Sequence, residues 1–478
     1  MSVRGSFTTL SIGRNSLLAH RTALDTVGHN LANAGVEGYT RQRAHYAPMP
    51  TTDSYIGSLG NGVRIDGIQR MGQGLVERRL DQDASDQNEA QARLNFLRQL
   101  EVVYTDESWG VSEALTSFYN SFRDLSRNPA SMVQRAEVIA RGTDLTDRFN
   151  GAAERIETMR SELDAELSAH AGEVTQLASV VADLNREIRA IESTEGRAND
   201  LRDQRQNTVR RIAEIVQIRS HFDSDGHMIV NMMSGHTLVS GRRSASLSTE
   251  PDPNNNNMAA IMYTSADGAA GGKPANVTND VTGGELGGKI NARDTISKDA
   301  LDRLDAFAFT LIQTVNNQHQ AGFGLSINGA PPLSNQDFFT SVGGAVGAAN
   351  AMSLDAGLLA DARVLAASSD EPGSPGNNEN ALALAKLETD PPNGVIRPHD
   401  EWSDQVRLMG DHVARANRDV TNYDARMEQT TQLREALSGV SVDEELAELV
   451  KVQTSFSASA KVITTADEIL QTILNMKR

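Results

Sequence analysis

The chain has 478 residues, long enough for roughly three domains, and no cysteine, which excludes disulfides, zinc–thiolate sites, iron–sulfur clusters and thiol catalysis together. Its net charge of −18, with no Lys/Arg-rich run, argues against nucleic acid as a partner, since backbone phosphates need a basic stripe. Hydrophobic residues make up 39% and permit a real core, while 4% aromatics favour helix packing by Leu, Ala and Val over a large aromatic-lined pocket. No apolar run approaches the ~18 residues of a membrane span, so no membrane insertion is expected.

The first element, over about 6–33, reads as a helix with apolar residues every seventh position: Val3, Leu10, Leu17, Leu24 and Leu31. Such a repeat keeps one seam of a helix turned toward a partner helix. Asn33-Ala34-Gly35 supplies its stop. Residues 45–75 are rich in Pro and Gly, and the alternation from Gly62 to Arg70 predicts a short strand. From about 75 to 217 the pattern is helical, with breaks at Trp109-Gly110 and Asn128-Pro129 and a helix pair turning near Gly196.

At about 220 the pattern becomes β-rich, and Gly283-Gly-Glu-Leu-Gly-Gly288 reads as a hairpin or loop. Helix returns over about 293–319 and 400–437, separated by an irregular stretch at 320–398. After Ser438-Gly439 a last helix carries a second seam: Leu449, Phe456, Ile463 and Leu470, with Val452, Ser459, Ala466 and Ile473 three places behind. Ser441 and Glu444 have capping-box spacing at its start. Burying both seams brings the two ends of the chain together.

The expected fold is mainly α, with discontinuous domains. A terminal coiled coil would use 1–75 with 438–478, a long-helix bundle 76–219 with 292–437, and an inserted β-rich outer domain 220–291. Within the bundle, 320–398 is irregular and is left open as a separate lobe.

Catalytic motifs are not legible. Asp223-Ser-Asp-Gly-His227 resembles a cation loop, but the distant Glu of an EF-hand is missing at the required spacing, and a turn before a strand is the preferred reading. The glycines at 283–288 lack a following Gly-Lys-Ser/Thr, so no phosphate loop is inferred. No metal, no cofactor and no enzymatic activity are expected. The acidic cluster Asp443-Glu444-Glu445 suits a helix N-terminus, with a chaperone or subunit contact as the sharper alternative.

The stretch Ala23–Arg43, with Asn30, Ala32, Asn33, Gly38, Tyr39 and Arg41, resembles the N-terminal signature of the bacterial flagellar axial proteins that form rod, hook and hook-associated layers. His29 stands where the signature has Asn. The segment from Gly439 through Ile463, and the run at Asn378–Leu387, resemble the branch of that family at the hook–filament junction. The resemblance implies a structural subunit of the flagellum, outside the cell, exported by the flagellar type III route without a cleaved signal peptide. It also implies assembly through the terminal helices into a ring of copies of itself. The partners implied are the hook protein, the second junction protein and an export chaperone on the C-terminal helix. Other axial proteins (hook, distal rod or second junction protein) or a type III secreted coiled-coil protein are the alternatives.

Overall fold

The computed structural model describes residues 2–54, 57–105, 110–194, 196–266, 273–326, 333–370, 376–392 and 394–476. Trp109 and the side chains of Val3 and Ile473 lie outside what is described. The fold is mainly α. Helix α1 (Ser2–Ala32) leads into β1 (Gln42–Pro48), the short hairpin β2 (Thr52–Ser54) and β3 (Gly57–Leu59), and β4 (Val63–Arg70). β1 and β4 pair antiparallel, with Gln42 opposite Arg70 and Pro48 opposite Val63.

Then come α2 (Gly74–Thr105), α3 (Val111–Arg127), α4 (Met132–Glu192) and α5 (Asn199–Ile215). The Ser131 hydroxyl caps α4, and Arg205–Asn185 and Arg211–Glu173 contacts set α5 antiparallel to it. Two small sheets follow. β5 (Ile218–Phe222), β6 (Met228–Met232), β7 (Thr237–Ser240) and β8 (Arg243–Ser244) form one. β9 (Ser246–Asp252), β10 (Met258–Thr264) and β11 (Ala275–Asn276) form the other. Their buried residues, among them Val230, Val239 and Ile261, share one core with Leu167, Val174 and Val181 of α4 and Val209 and Ile212 of α5. Asn185, buried on α4, fastens the first sheet by donating to the carbonyls of Met228 and Gly241 and accepting from Met228 N.

The chain continues through α6 (Gly284–Asn291), a π-turn at Ala292–Ile296, α7 (Ser297–Gln320), α8 (Ala348–Ala351), α9 (Ala356–Ala360), α10 (Glu379–Lys386), α11 (Pro398–Ser438) and α12 (Val442–Asn475). The glycines read as a hairpin or loop instead open α6. Gly288 lies so close to α2 that a Cβ there would come within 2.7 Å of the Glu89 carbonyl oxygen. Those glycines are a packing requirement between helices, and glycine's low helix propensity is overridden.

α11 lies antiparallel on α2: Glu77 meets Arg434, Asp83 meets Arg426, and Arg93 meets Asp419. A second core joins these helices to α3, α7 and the first half of α4. At its centre Phe118 packs against Phe122 and Phe338 with ring centroids 5.2 and 5.4 Å apart, edge to face.

The irregular stretch 320–398 belongs to this core through Phe338, Phe339, Met352, Leu358 and Leu365. Polar side chains of α7 hold its backbone. Asn316 accepts from Phe338 N and Phe339 N and donates to Phe339 O. Asp305 accepts from Gly347 N and Ala349 N, and His319 Nε2 accepts from Ala366 N at 2.9 Å. Among the described residues no helix is long and apolar enough to cross a membrane.

Candidate assembly interface

The motif residues converge where α1 ends, α12 begins and β1 leaves the loop between them. Asn30 is 1% exposed, and its amide uses all four hydrogen-bonding positions. Nδ2 donates to Gln42 O at 2.8 Å and to Glu445 Oε2 at 3.0 Å. Oδ1 accepts from Gln42 N at 3.0 Å and from the Tyr39 hydroxyl at 2.8 Å. The side chain thus stands in for a neighbouring strand at the first residue of β1.

Arg41 completes the contact with α12: Nε reaches Glu445 Oε1 at 2.7 Å and Nη1 reaches Glu444 Oε2 at 2.7 Å. Glu445 is as buried as Asn30, and both glutamates sit in the first turn of α12, where the helix dipole favours negative charge. Ser441 accepts from Glu444 N, but the Glu444 carboxylate is turned to Arg41, which leaves half of a capping box. The acidic cluster is therefore an intrachain clasp on the N-terminal motif, a pairing not legible in the sequence.

Gly38 has φ +78°, and a Cβ would fall 2.2 Å from Asn207 Oδ1, so any other residue would strain the backbone and displace the Asn207 amide. Burial, then the carboxylates of Asp200, Asp203 and Glu445, push the Tyr39 hydroxyl well above its ordinary pKa, which keeps its proton for Asn30. His29 Nδ1 lies 2.9 Å from the same hydroxyl, so the departure from the family signature still has a bonding role. Asn33 Nδ2 donates to His29 O at 2.8 Å across the last turn of α1, while Ala32 is exposed.

Beyond this clasp the motif is tied to the body. Thr40 N donates to Asp203 Oδ2 of α5 at 3.0 Å, and Gln42 Nε2 to Asp200 Oδ1 at 2.7 Å. Arg434 of α11 donates to Gly38 O at 2.9 Å and to Glu77 of α2 at 3.2 Å. Arg70 bonds Asp203, and Arg210 reaches Glu77 at 2.5 Å. A buried charge deprived of its partner is costly, so this network fixes how the terminal helices leave the body.

α1 and α12 run antiparallel, with Asn30 at Glu445 and Gly13 at Ile463, where a Cβ on Gly13 would approach Ile463 Cγ1 to 2.7 Å. That register puts Leu24, Leu17 and Leu10 level with Val452, Ser459 and Ala466. The most buried stripe of α12 is Glu445, Val452, Ser459 and Ala466, at seven-residue spacing, facing Gly13, Ala19, Ala23, Val27 and Asn30 of α1. The larger seam residues Leu10, Leu17, Leu24, Leu31, Leu449, Phe456, Ile463 and Leu470 flank it half-buried. Leu18, Leu446, Val450, Val462 and Ile469 are exposed.

Elsewhere, Asp223, Asp225 and His227 come together at the β5–β6 turn. Asp223 Oδ1 accepts from the backbone N–H groups of Asp225 and His227, which is the bonding of a tight turn.

Residues 97–366 match the family model described as the flagellar hook-associated protein FlgK helical domain. The chain belongs to the flagellar hook-associated protein FlgK family. Residues 435–476 also match the model of the flagellar basal body rod FlgEFG protein C-terminal region, the segment that ends α11 and forms α12. The flagellar hook-associated protein 1 of Bacillus subtilis is 27% identical over 98% of this chain and 98% of its own length. That of Escherichia coli is 22% identical over 97% and 98%. That of Salmonella typhimurium is 26% identical over 73% of this chain and 62% of its own. The fold is shared with the flagellar hook junction protein FlgK from Burkholderia pseudomallei, with a TM-score of 0.65 over 76% of this chain and 100% of that one, at 15% identity. Membership in the FlgK family makes the chain a flagellar component of a structural family.

Proposed function

We propose that this chain is a structural subunit of the junction between hook and filament, assembling through α1 and α12, with no catalytic role. The observation that carries this reading is the incomplete burial of the terminal pair. Seam residues as large as Leu17, Phe456 and Ile463 remain half-buried after the two helices have met, and Leu18, Val450 and Ile469 stay exposed beside them. Neighbouring copies in a ring would cover these faces, with the hook protein on one side and the second junction protein on the other. Before assembly the exposed face of α12 suits an export chaperone, and a chain without cysteine passes a type III channel without disulfide entanglement.

The match of the last helix to a rod-protein model also fits a hook or distal rod protein. The helical-domain match over 97–366 favours the junction. Immuno-electron microscopy of the organelle tests the choice. Label at the hook–filament boundary is expected, and label along the rod or along the whole hook would overturn the junction reading.

A further inference from the structure

Helix α2 borders two clefts of opposite chemistry. The first lies at its start, where α2, β5 and α11 meet, and encloses about 710 Å³. Arg78, Arg79, Arg219, Arg426 and His221 line it over Leu75 and Met233. Arg426 is held by Asp83 and Asp86, and both oxygens of Asp83 are engaged, one by Arg426 and one by the Thr430 hydroxyl. Asp81 is buried against the Gln206 amide. Arg79 leans on Asp83 and Arg78 lies near buried Asp81, but Arg78 and Arg219 are exposed and close no ion pair among the described residues. Guanidinium groups held open in this way stand out on a chain of net charge −18.

The second cleft, of about 380 Å³, lies between α2, α4 and α6. Glu162, Glu166 and Glu285 line it with the amides of Asn88, Gln91 and Asn95. Lys289, which also lines it, is occupied by Glu166 at 2.6 Å and Glu285 at 2.7 Å. Glu162 has no cationic partner among the described residues, and exposed Glu154 lies two turns back along α4 and about 80° round it, on the same side of the helix. At ~1.5 Å and ~100° per residue the two clefts lie roughly 21 Å apart along α2 and about a third of a turn round it. Carboxylates and amide oxygens in one cleft match guanidinium donors in the other.

We propose that the arginine cleft of one copy receives the acidic α4 face of a second copy, with Arg78 and Arg219 against Glu154 and Glu162. Two different patches meeting head to tail make a heterologous contact, the kind that generates rings and helical tubes. The contact rests on the reading of the chain as a self-assembling subunit, and it would add a charge-selected layer outside the terminal helices.

The test is a charge swap in the full-length chain, expressed in the flagellated strain that lacks its own copy. Export level and thermal stability are checked for each variant. Arg78→Glu with Arg219→Glu, and separately Glu154→Arg with Glu162→Arg, should each reduce attached filaments by about tenfold or more, because like charges then face each other. Combining all four changes should restore attachment to near the unmodified level. Normal attachment in either double variant would overturn the pairing. So would a combined variant no better than the double variants, the result expected if the arginine cleft serves another acidic partner. If the unmodified chain is absent from the hook–filament boundary, the junction reading has failed; if it is present while the swaps have no effect, only this contact has.

Discussion

In the helical body Leu100, Leu115, Phe118 and Leu145 have no exposed surface, and along α1 and α12 the order of size is inverted. There the covered residues are small, Ala19, Ala23, Ser459 and Ala466, and the large ones are left at the flanks. The body gains its burial within one chain. The terminal pair brings two backbones close and leaves apolar area uncovered, which under the proposed assembly a neighbouring copy would bury. The two regions should therefore respond in opposite ways to damage.

The largest expected effect is at the ends. Leu17→Asp or Ile463→Asp should abolish assembly while leaving the melting of the body unchanged, since a charge in a covered seam costs several kcal/mol only once neighbours exclude water. Normal filament attachment in a strain carrying either change would break the contrast. Next is the body itself. Phe118→Ala removes a ring packed against Phe122, Phe338 and Phe339 and should cost about 3–5 kcal/mol in chemical denaturation. A loss comparable to that of an exposed residue would show that the aromatic centre is loosely packed.

Asn30→Asp probes the clasp between the regions. It replaces the donor to Gln42 O and sets a carboxylate against Glu445, at a cost of about 2–4 kcal/mol. Thermal melting followed separately at the ends and in the body should show the ends released first. Simultaneous loss would mean that the clasp is integral to the body.

How much of this was legible in the sequence also divides by region. The seams showed because a seven-residue period survives in any context, and Asn30, Tyr39 and Arg41 stood out by resemblance. That Arg41 takes Glu444 and Glu445 was not legible, because a pairing across 403 residues leaves no local pattern. The stretch 320–398 resisted reading for a different reason. Its backbone groups are satisfied by Asp305, Asn316 and His319 of α7, so its own residues need no helical or strand periodicity. The buried polar positions on α7 were the available signal. At α6, a rule that treats glycine as a breaker failed because Gly288 answers to the proximity of α2.

The last and smallest effect lies within the body and is read by pH. Burial first, with Glu77 adding and Arg210 opposing, pushes Asp81 at the root of α2 from 3.8 to about 7. Folded Asp81 therefore keeps a proton that the unfolded chain releases. Its favourable contribution is complete below about pH 4, falls as pH rises, and is gone above about pH 7. His319 on α7 runs the other way: burial lowers it from 6.5 to about 4, so its contribution is lost as pH falls through that window. Asp81→Asn should be stabilised relative to the unmodified chain by an amount that grows from pH 5 to pH 8 and then levels. Taking the difference between the two proteins cancels the His319 term. A difference in Tm that stays constant across this range would mean that Asp81 is ionised in the folded chain and that Arg210 outweighs burial at the foot of the clasp.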